Sequence, residues 1–248
     1  MPYKGAVLDL DNVLFPTSVY EEKVINSALR SMIKAGLPAK FDEGLEKLVA
    51  IRKEEPYAPN HFNRLCELYG LVPAPQRIVQ AGVNGYHREG EGVFVPQQET
   101  TDFLDFLVSN RFRNCVVTQG IDSKQWAKLI RLNIADYFLL KDGQGQVVKE
   151  LVYIRNDGKS RQEGKKENVL QAINEADINP EASFVVDDRP YGIVAGKKAG
   201  IRYGFRLKRG KYWDETYSEG TDDRLKHDAE AFSLHELMDI LREIKLAE

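Results

Sequence analysis

Apolar residues recur along this chain at two different periods. "EEKVINSALRSMIKAGL" puts Val24, Ala28, Met32 and Ala35 on one helical face, and Gly36 and Pro38 punctuate its end. "FDEGLEKLVAIRKEE", "NHFNRLCELYG" and "QRIVQAGVNGYHREG" predict three further helices, so residues 17 to about 92 read as helical throughout. Elsewhere short apolar runs alternate with amphipathic stretches. "KGAVLDLDNVLF", "NCVVTQG", "DYFLLKD", "ASFVVDD" and "RYGFRLK" predict strands. "VFVPQQETTDFLDFLVSN" starts extended and turns helical through Phe103, Leu104, Phe106 and Leu107. "DSKQWAKLIRLNI", with Asp122 or Ser123 as N-cap and Trp126 as a core residue, "KENVLQAINEADI" and "AGKKAG" predict helices between the strands. "SLHELMDILREIKL" closes the chain, with Ser233 and Glu236 spaced as a capping box.

Alternating strands and helices imply an α/β fold with a doubly wound parallel sheet. The helical stretch interrupts that alternation. The expected division is a catalytic core of residues 1–16 and 93–248 with an inserted helical domain at 17–92. Residues 141–164 read as a hairpin on the turn signal "RNDG". Residues 208–228 read as a polar loop containing Tyr212 and Trp213, with an interface patch as the lesser alternative.

Composition narrows the class. Of 248 residues, 42% are hydrophobic and 29% charged, which is ordinary for a globular chain with a sizeable core. The net charge of −3, with both signs well mixed, argues against a nucleic-acid partner. Cys66 and Cys115 lie far apart and read as free buried thiols in a reducing compartment. No run reaches the roughly 18 apolar residues of a membrane span, and the opening "MPYKGAVLDLD" does not read as a signal peptide. The expectation is a cytoplasmic monomer or homodimer.

Three predicted strands end in chemistry: "DLDN" at 9–12, "TQG" at 118–120 and "VDDR" at 186–189. Ligands of parallel sheets bind beyond these carboxyl ends. Alternation places Asp9 and Asp11 on one strand face, and with Asp187 and Asp188 four carboxylates converge. Such hard oxygen ligands suit Mg²⁺, which offsets their repulsion. One aspartate can attack phosphorus while its neighbour protonates the leaving group and then activates water. Thr118 and the turn amides can hold phosphate oxygens, and Lys165 or Lys166 in "EGKKENV" is the neutralising lysine.

The order D-x-D-x-V, T-x-G, lysine, D-D resembles the haloacid dehalogenase-like hydrolases, in the branch with a helical cap inserted after the first motif. "DSKQWAKLIRLNIADYF", "GVNGYHREG" and "DDRPYGIVAGKKAG" resemble the archaeal glyceraldehyde-3-phosphate phosphatases of that family. The resemblance implies Asp9 as nucleophile and metal ligand. It implies Asp11 as acid/base, its backbone carbonyl also facing the metal. Thr118 would bind phosphate with the amide of Gln119 or Gly120. Asp188 would ligate the metal directly, and Asp187 directly or through water. Lys165 fits the lysine spacing of some branches, whereas the spacing of the closer relatives lands on Glu163. The usual G-D-x-x-x-D is altered, with Asp187 at the glycine and Gly192 at the second aspartate. These readings lead to a Mg²⁺-dependent phosphatase acting on a small phosphorylated metabolite through an aspartyl-phosphate. The alternatives are a phosphomutase of the same kind and a non-catalytic phosphometabolite-binding protein.

Overall fold

The structure, a computed structural model, describes residues 2–55, 58, 60–93, 95–155 and 161–247. They form two compact units, residues 1–17 with 95–248, and residues 18–94.

The larger unit is built on a six-stranded sheet in the order β5-β2-β1-β6-β7-β8, every neighbouring pair parallel. Its strands are β1 (Lys4–Leu8), β2 (Phe112–Gln119), β5 (Val152–Arg155), β6 (Phe184–Asp187), β7 (Tyr203–Leu207) and β8 (Ala229–Ala231). The expected doubly wound α/β fold is present. β1 lies at the centre, with β2 on one side and β6 on the other. The chain fills one half of the sheet and then crosses to the other, so the switch point lies beside β1, where side chains at three strand ends can meet.

The central strands β1, β2 and β6 are buried along most of their length, which is why they read as apolar runs. Val7, Val117 and Val185 pack in one buried cluster with Val169 and Ala172 of α7 (Arg161–Glu175) and Ile193 of α8 (Pro190–Lys198). Phe112, Phe184 and Phe205 meet edge to face, at centroid separations of 5.3 and 5.6 Å. The chain's last helix, α9 (Leu234–Glu243), is capped as expected. Ser233 Oγ accepts from the Glu236 amide at 3.0 Å, and the Glu236 carboxylate accepts from the Phe232 amide at 2.7 Å.

The smaller unit carries α2 (Phe41–Glu54), α3 (His61–Leu68), α4 (Gln76–Val93) and nearly all of α1 (Thr17–Lys34), the four helices expected from the periodicity. His61 is buried here, its Nε2 2.6 Å from the Glu55 carbonyl. Cys66 and Cys115 are both free and buried. No helix among the described residues is long and apolar enough to cross a membrane.

Three local expectations change. The hairpin within 141–164 is shorter than expected and turns elsewhere. β3 (Leu139–Lys141) and β4 (Val147–Glu150) pair antiparallel around Asp142, whose Oδ1 accepts from the amides of Gln144 and Gln146 at 2.9 Å each. The next residues form β5, an edge strand of the main sheet, and Asn156–Gly158 of "RNDG" lie outside the described residues. α6 (Asp122–Arg131) begins at Asp122, and Ile121 holds the cap position without a side-chain bond. Trp126 of this helix is half-buried, while Gln125 and Leu129 are the buried positions.

Candidate active site

β1 stops at Leu8, before either aspartate. The Leu10 carbonyl accepts from the amides of Leu14 and Phe15 at 3.1 Å, and the Asn12 amide donates to the Phe15 carbonyl at 2.7 Å. Asn12 takes a left-handed conformation, φ +60°, which asparagine tolerates better than most residues. Residues 9–15 are therefore a tight turn, not a strand continuation, and alternation does not decide where Asp9 and Asp11 point. Their side chains part company.

Asp9 joins Asp187 and Asp188 from the end of β6: one carboxylate oxygen from each lies within 4.8 Å of the others. All three are buried. Lys165, buried in the first turns of α7, reaches between them. Its Nζ is 2.8 Å from Asp9 Oδ1 and also ion-pairs with Asp187 Oδ2. Of the two candidate lysines, Lys165 is the one that reaches the carboxylates. Asn12 Nδ2 donates to Asp188 Oδ2 at 2.9 Å, and the Arg189 amide donates to Asp187 Oδ1 at 2.9 Å.

One ammonium among three carboxylates leaves negative charge uncompensated, and the titration behaviour follows. Burial pushes Asp9 up to about 7; the Lys165 ammonium opposes this, while the charges of Asp187 and Asp11 add to it. Burial, then the charges of Asp187 and Asp9, push Asp188 up to about 8 against the Asn12 bond and Lys165. Burial disfavours the charge on Lys165, but Asp187 and Asp9 outweigh it and hold the ammonium well above its usual range.

Asp11 is the exception among the four expected carboxylates. It does not join the cluster. Its Oδ1 accepts from Thr17 Oγ1 and Lys128 Nζ, each at 2.5 Å, and its Oδ2 from Gln125 Nε2 at 3.3 Å. Burial alone would raise its pKa, but the Lys128 charge and these hydrogen bonds bring it below the usual carboxylate value.

Thr118 is buried at the end of β2, and Gly120 follows at φ +146°, a backbone conformation suited to glycine. A Cβ at Gly120 would lie 2.7 Å from Gln125 Nε2. The Gly120 amide donates to the Arg155 carbonyl at 3.0 Å. The Val116 amide also points to β5. By the alternation of a parallel ladder the Gln119 amide points the other way, toward β1.

A family model described as haloacid dehalogenase-like hydrolase matches residues 6–205, from β1 into β7. The chain belongs to the haloacid dehalogenase-like hydrolases. Two curated proteins named glyceraldehyde 3-phosphate phosphatase resemble it over nearly their whole length. That of Methanopyrus kandleri is 29% identical over 244 residues, 97% of this chain and 98% of its own. That of Methanocaldococcus jannaschii is 29% identical over 246 residues, 98% of each. Among solved structures, YfnB of Bacillus subtilis, bound to magnesium, superposes with a TM-score of 0.61 at 18% identity, covering 97% of this chain and 99% of that one. A likeness at that identity shows the shared fold.

Against the usual haloacid dehalogenase-like motif G-D-x-x-x-D, the exchange at positions 187 and 192 now has a steric reason. A Cβ built on Gly192 would lie 1.8 Å from Asp187 Oδ2. The carboxylate arrives from the strand side and fills the volume that a side chain at 192 would need. Gly192→Ala is therefore expected to displace Asp187 and destabilise the fold by about 1–3 kcal/mol, as overpacking does. Thermal melting in chelator checks the loss, and an unchanged melting temperature would contradict the assigned position of Asp187.

Two side chains at this site were not singled out from the sequence, Gln125 and Lys128. Both sit on α6 three residues apart, where a lone glutamine and a lone lysine read as solvent-facing. The available signal was positional: the first helix after "TQG" starts beside the strand end and must turn one face to it. Arg189 forms a two-point ion pair with Glu215, at 2.7 and 2.8 Å, and its guanidinium lies 4.0 Å from the Tyr212 ring centre. The backbone carbonyls of Tyr212 and Trp213 accept from Arg206, which ties down the polar loop that carries them.

Proposed function

We propose that this chain is a Mg²⁺-dependent phosphatase that hydrolyses a small phosphorylated metabolite through an aspartyl-phosphate on Asp9. The observation that carries the reading is the convergence of Asp9, Asp187 and Asp188 around Lys165. The donor set fits a hard divalent cation: three buried carboxylates face one ammonium, and two of them are pushed toward protonation by burial and by neighbouring carboxylate charge. Asp9, Asp187 and Asp188 would hold Mg²⁺, joined by the backbone carbonyl of Asp11. When bound, the ion supplies charge neutralisation for the carboxylates and for the phosphoryl oxygens.

The remaining roles belong to side chains. An Asp9 carboxylate oxygen forms the new bond to phosphorus as the bond from phosphorus to the leaving oxygen breaks. Lys165 favours the ionised form of Asp9 against the pull of burial and screens the transferring group. Thr118 Oγ1 lies 3.5 Å from Gln125 Nε2 as an acceptor, so its own proton can be donated to a phosphoryl oxygen beside the Gln119 amide. Asp11, an ionised acceptor of Thr17 and Lys128 in this structure, gives a proton to the leaving oxygen only after taking one up as substrate binds. It then takes one from the water that attacks phosphorus and frees Asp9.

The names of the relatives make glyceraldehyde 3-phosphate the first substrate to test. Release of inorganic phosphate from it, from sugar and nucleotide monophosphates and from p-nitrophenyl phosphate, with Mg²⁺ and with chelator, tests the proposal. Absence of metal-dependent turnover on all of them would sink it. Within the same assay, Lys165→Ala is expected to lower turnover by about a hundredfold or more, and Lys166→Ala far less. The reverse order would move the role to Lys166.

A further inference from the structure

The turn after β1 is tied down by side chains that belong to no motif of the active site. From Leu10 to Phe15, every backbone carbonyl except that of Asp11 has a donor among the described residues. The Leu10 carbonyl takes the amides of Leu14 and Phe15, and the Phe15 carbonyl takes those of Asn12 and Thr17. The carbonyls between them rely on side chains. Arg209 Nε donates to the Asn12 carbonyl at 2.7 Å, and Arg209 Nη2 donates to the Val13 carbonyl. Thr100 Oγ1, on a buried side chain, donates to the Leu14 carbonyl at 2.9 Å. The guanidinium is itself braced. Its Nη1 lies 2.9 Å from Glu99 Oε2, and Glu99 Oε1 accepts from the Leu234 amide at 2.6 Å. Glu99 and Thr100 stand at the start of α5 (Gln98–Ser109), and Leu234 is the first residue of α9.

These bonds fix the one carbonyl they leave open. The Asp11 carbonyl and the Asn12 amide belong to a single planar peptide unit and turn together. The Asn12 amide is held by Phe15 at 2.7 Å, and the next carbonyl along is held by Arg209. Between the two lies the left-handed φ of Asn12, a conformation that persists where neighbours over-determine it. The Asn12 side chain also donates to Asp188 Oδ2. Release of the Asn12 carbonyl would thus turn the Asp11 carbonyl and withdraw the partner of Asp188 in one movement.

We propose that Arg209, braced by Glu99, is a positioning residue for the metal site. It holds the Asn12 peptide so that the Asp11 carbonyl stays available to the cation and Asp188 stays oriented. The inference rests on the Mg²⁺ reading above and deepens it. Arginine suits the task because its planar fork reaches two successive carbonyls and a carboxylate at once, whereas the ammonium of lysine is a point charge on a flexible stem.

The test is the Mg²⁺ dissociation constant, from calorimetric titration of the metal-free full chain, together with the melting temperature in chelator. For Arg209→Met the constant is expected to rise by about tenfold or more, as when groups behind metal ligands are lost. The Mg²⁺ concentration for half-maximal phosphate release should rise in parallel. Arg209→Lys should fall between methionine and wild type. Glu99→Gln keeps the shape of the brace, weakens its charge-assisted bonds and should raise the constant by less. Ser233→Ala, which loses only the α9 cap, should lower the melting temperature without moving the constant, and so separates lost stability from lost positioning. An unchanged constant in Arg209→Met, or in Glu99→Gln should the methionine variant not fold, would overturn the positioning role and leave the metal site standing. So would a Ser233→Ala chain whose affinity falls as far as that of Arg209→Met. A wild-type chain that binds no Mg²⁺ would overturn the metal reading, and this inference with it.

Discussion

Asp9→Asn is expected to reduce phosphatase turnover by about a thousandfold or more while the chain folds as before. The size follows from comparable losses when a nucleophile is removed from a catalytic unit. Asparagine keeps the shape and can still accept the Lys165 hydrogen bond now made at 2.8 Å, but its amide oxygen is a poor nucleophile toward phosphorus. The fold should not suffer, because burial already holds Asp9 up at about 7 and the substitution removes a charge that the site resists. Phosphate release under saturating substrate measures the first effect and melting in chelator the second. Activity within tenfold of wild type would remove Asp9 from the mechanism. A collapse of the melting temperature would mean that Asp9 is chiefly structural.

Removal of Mg²⁺ should have the next largest effect, and its dependence on pH has a definite sign. Asp9 and Asp188, at about 7 and about 8, bind protons in the fold that an unfolded chain releases near pH 4. A raised carboxylate makes the folded state the better proton binder. The contribution of these two groups to stability therefore falls as pH rises from about 4 through about 8. In chelator the protein should melt lower at pH 8 than at pH 6. Mg²⁺ bound as proposed would compete with those protons, so its stabilisation should be larger at pH 8. At about a hundred times its dissociation constant the ion would contribute about 2.7 kcal/mol, or roughly 5–10 °C for a chain of this size. Asp187→Ala combined with Asp188→Ala should abolish most of that shift and melt no lower than wild type in chelator. Calorimetry at both pH values, with and without Mg²⁺, reads all of this. An undiminished Mg²⁺ shift in the double variant would place the metal elsewhere.

How far the sequence revealed the site depended on whether the informative residues stood in a pattern. The runs ending in "VVTQG" and "FVVDD" were legible because strands covered on both faces are continuously apolar, and a polar group at the end of such a run stands out. Lys165 was legible to within one residue, from its place at a helix start. The tight turn after Leu8 was not. "LDLDNVLF" keeps strand alternation in its letters, and only the left-handed Asn12 and the paired amides of Leu14 and Phe15 break it. β5 was hidden because the turn residues at its end, "RNDG", drew its four residues into a hairpin. Gln125 and Lys128 were invisible for a different reason. A polar residue on a helix declares neither which neighbour it will meet nor that its face is turned inward, and those facts belong to the packing of α6 beside β2 and the Asp9–Phe15 turn.

The exchange between Asp187 and Gly192 also bears on how such a site can change over generations. With aspartate at both positions, atoms would have to occupy the same volume, since the carboxylate of one stands where the first side-chain carbon of the other must be. With glycine at both, the cluster would be a carboxylate short. Each single step between the two arrangements is therefore worse than either end, and positions five residues apart in the chain are bound into one heritable choice. A mutational library that varies them one at a time will find only losses. One that varies them together contains the route by which a site of this kind trades a carboxylate on a helix for one on a strand.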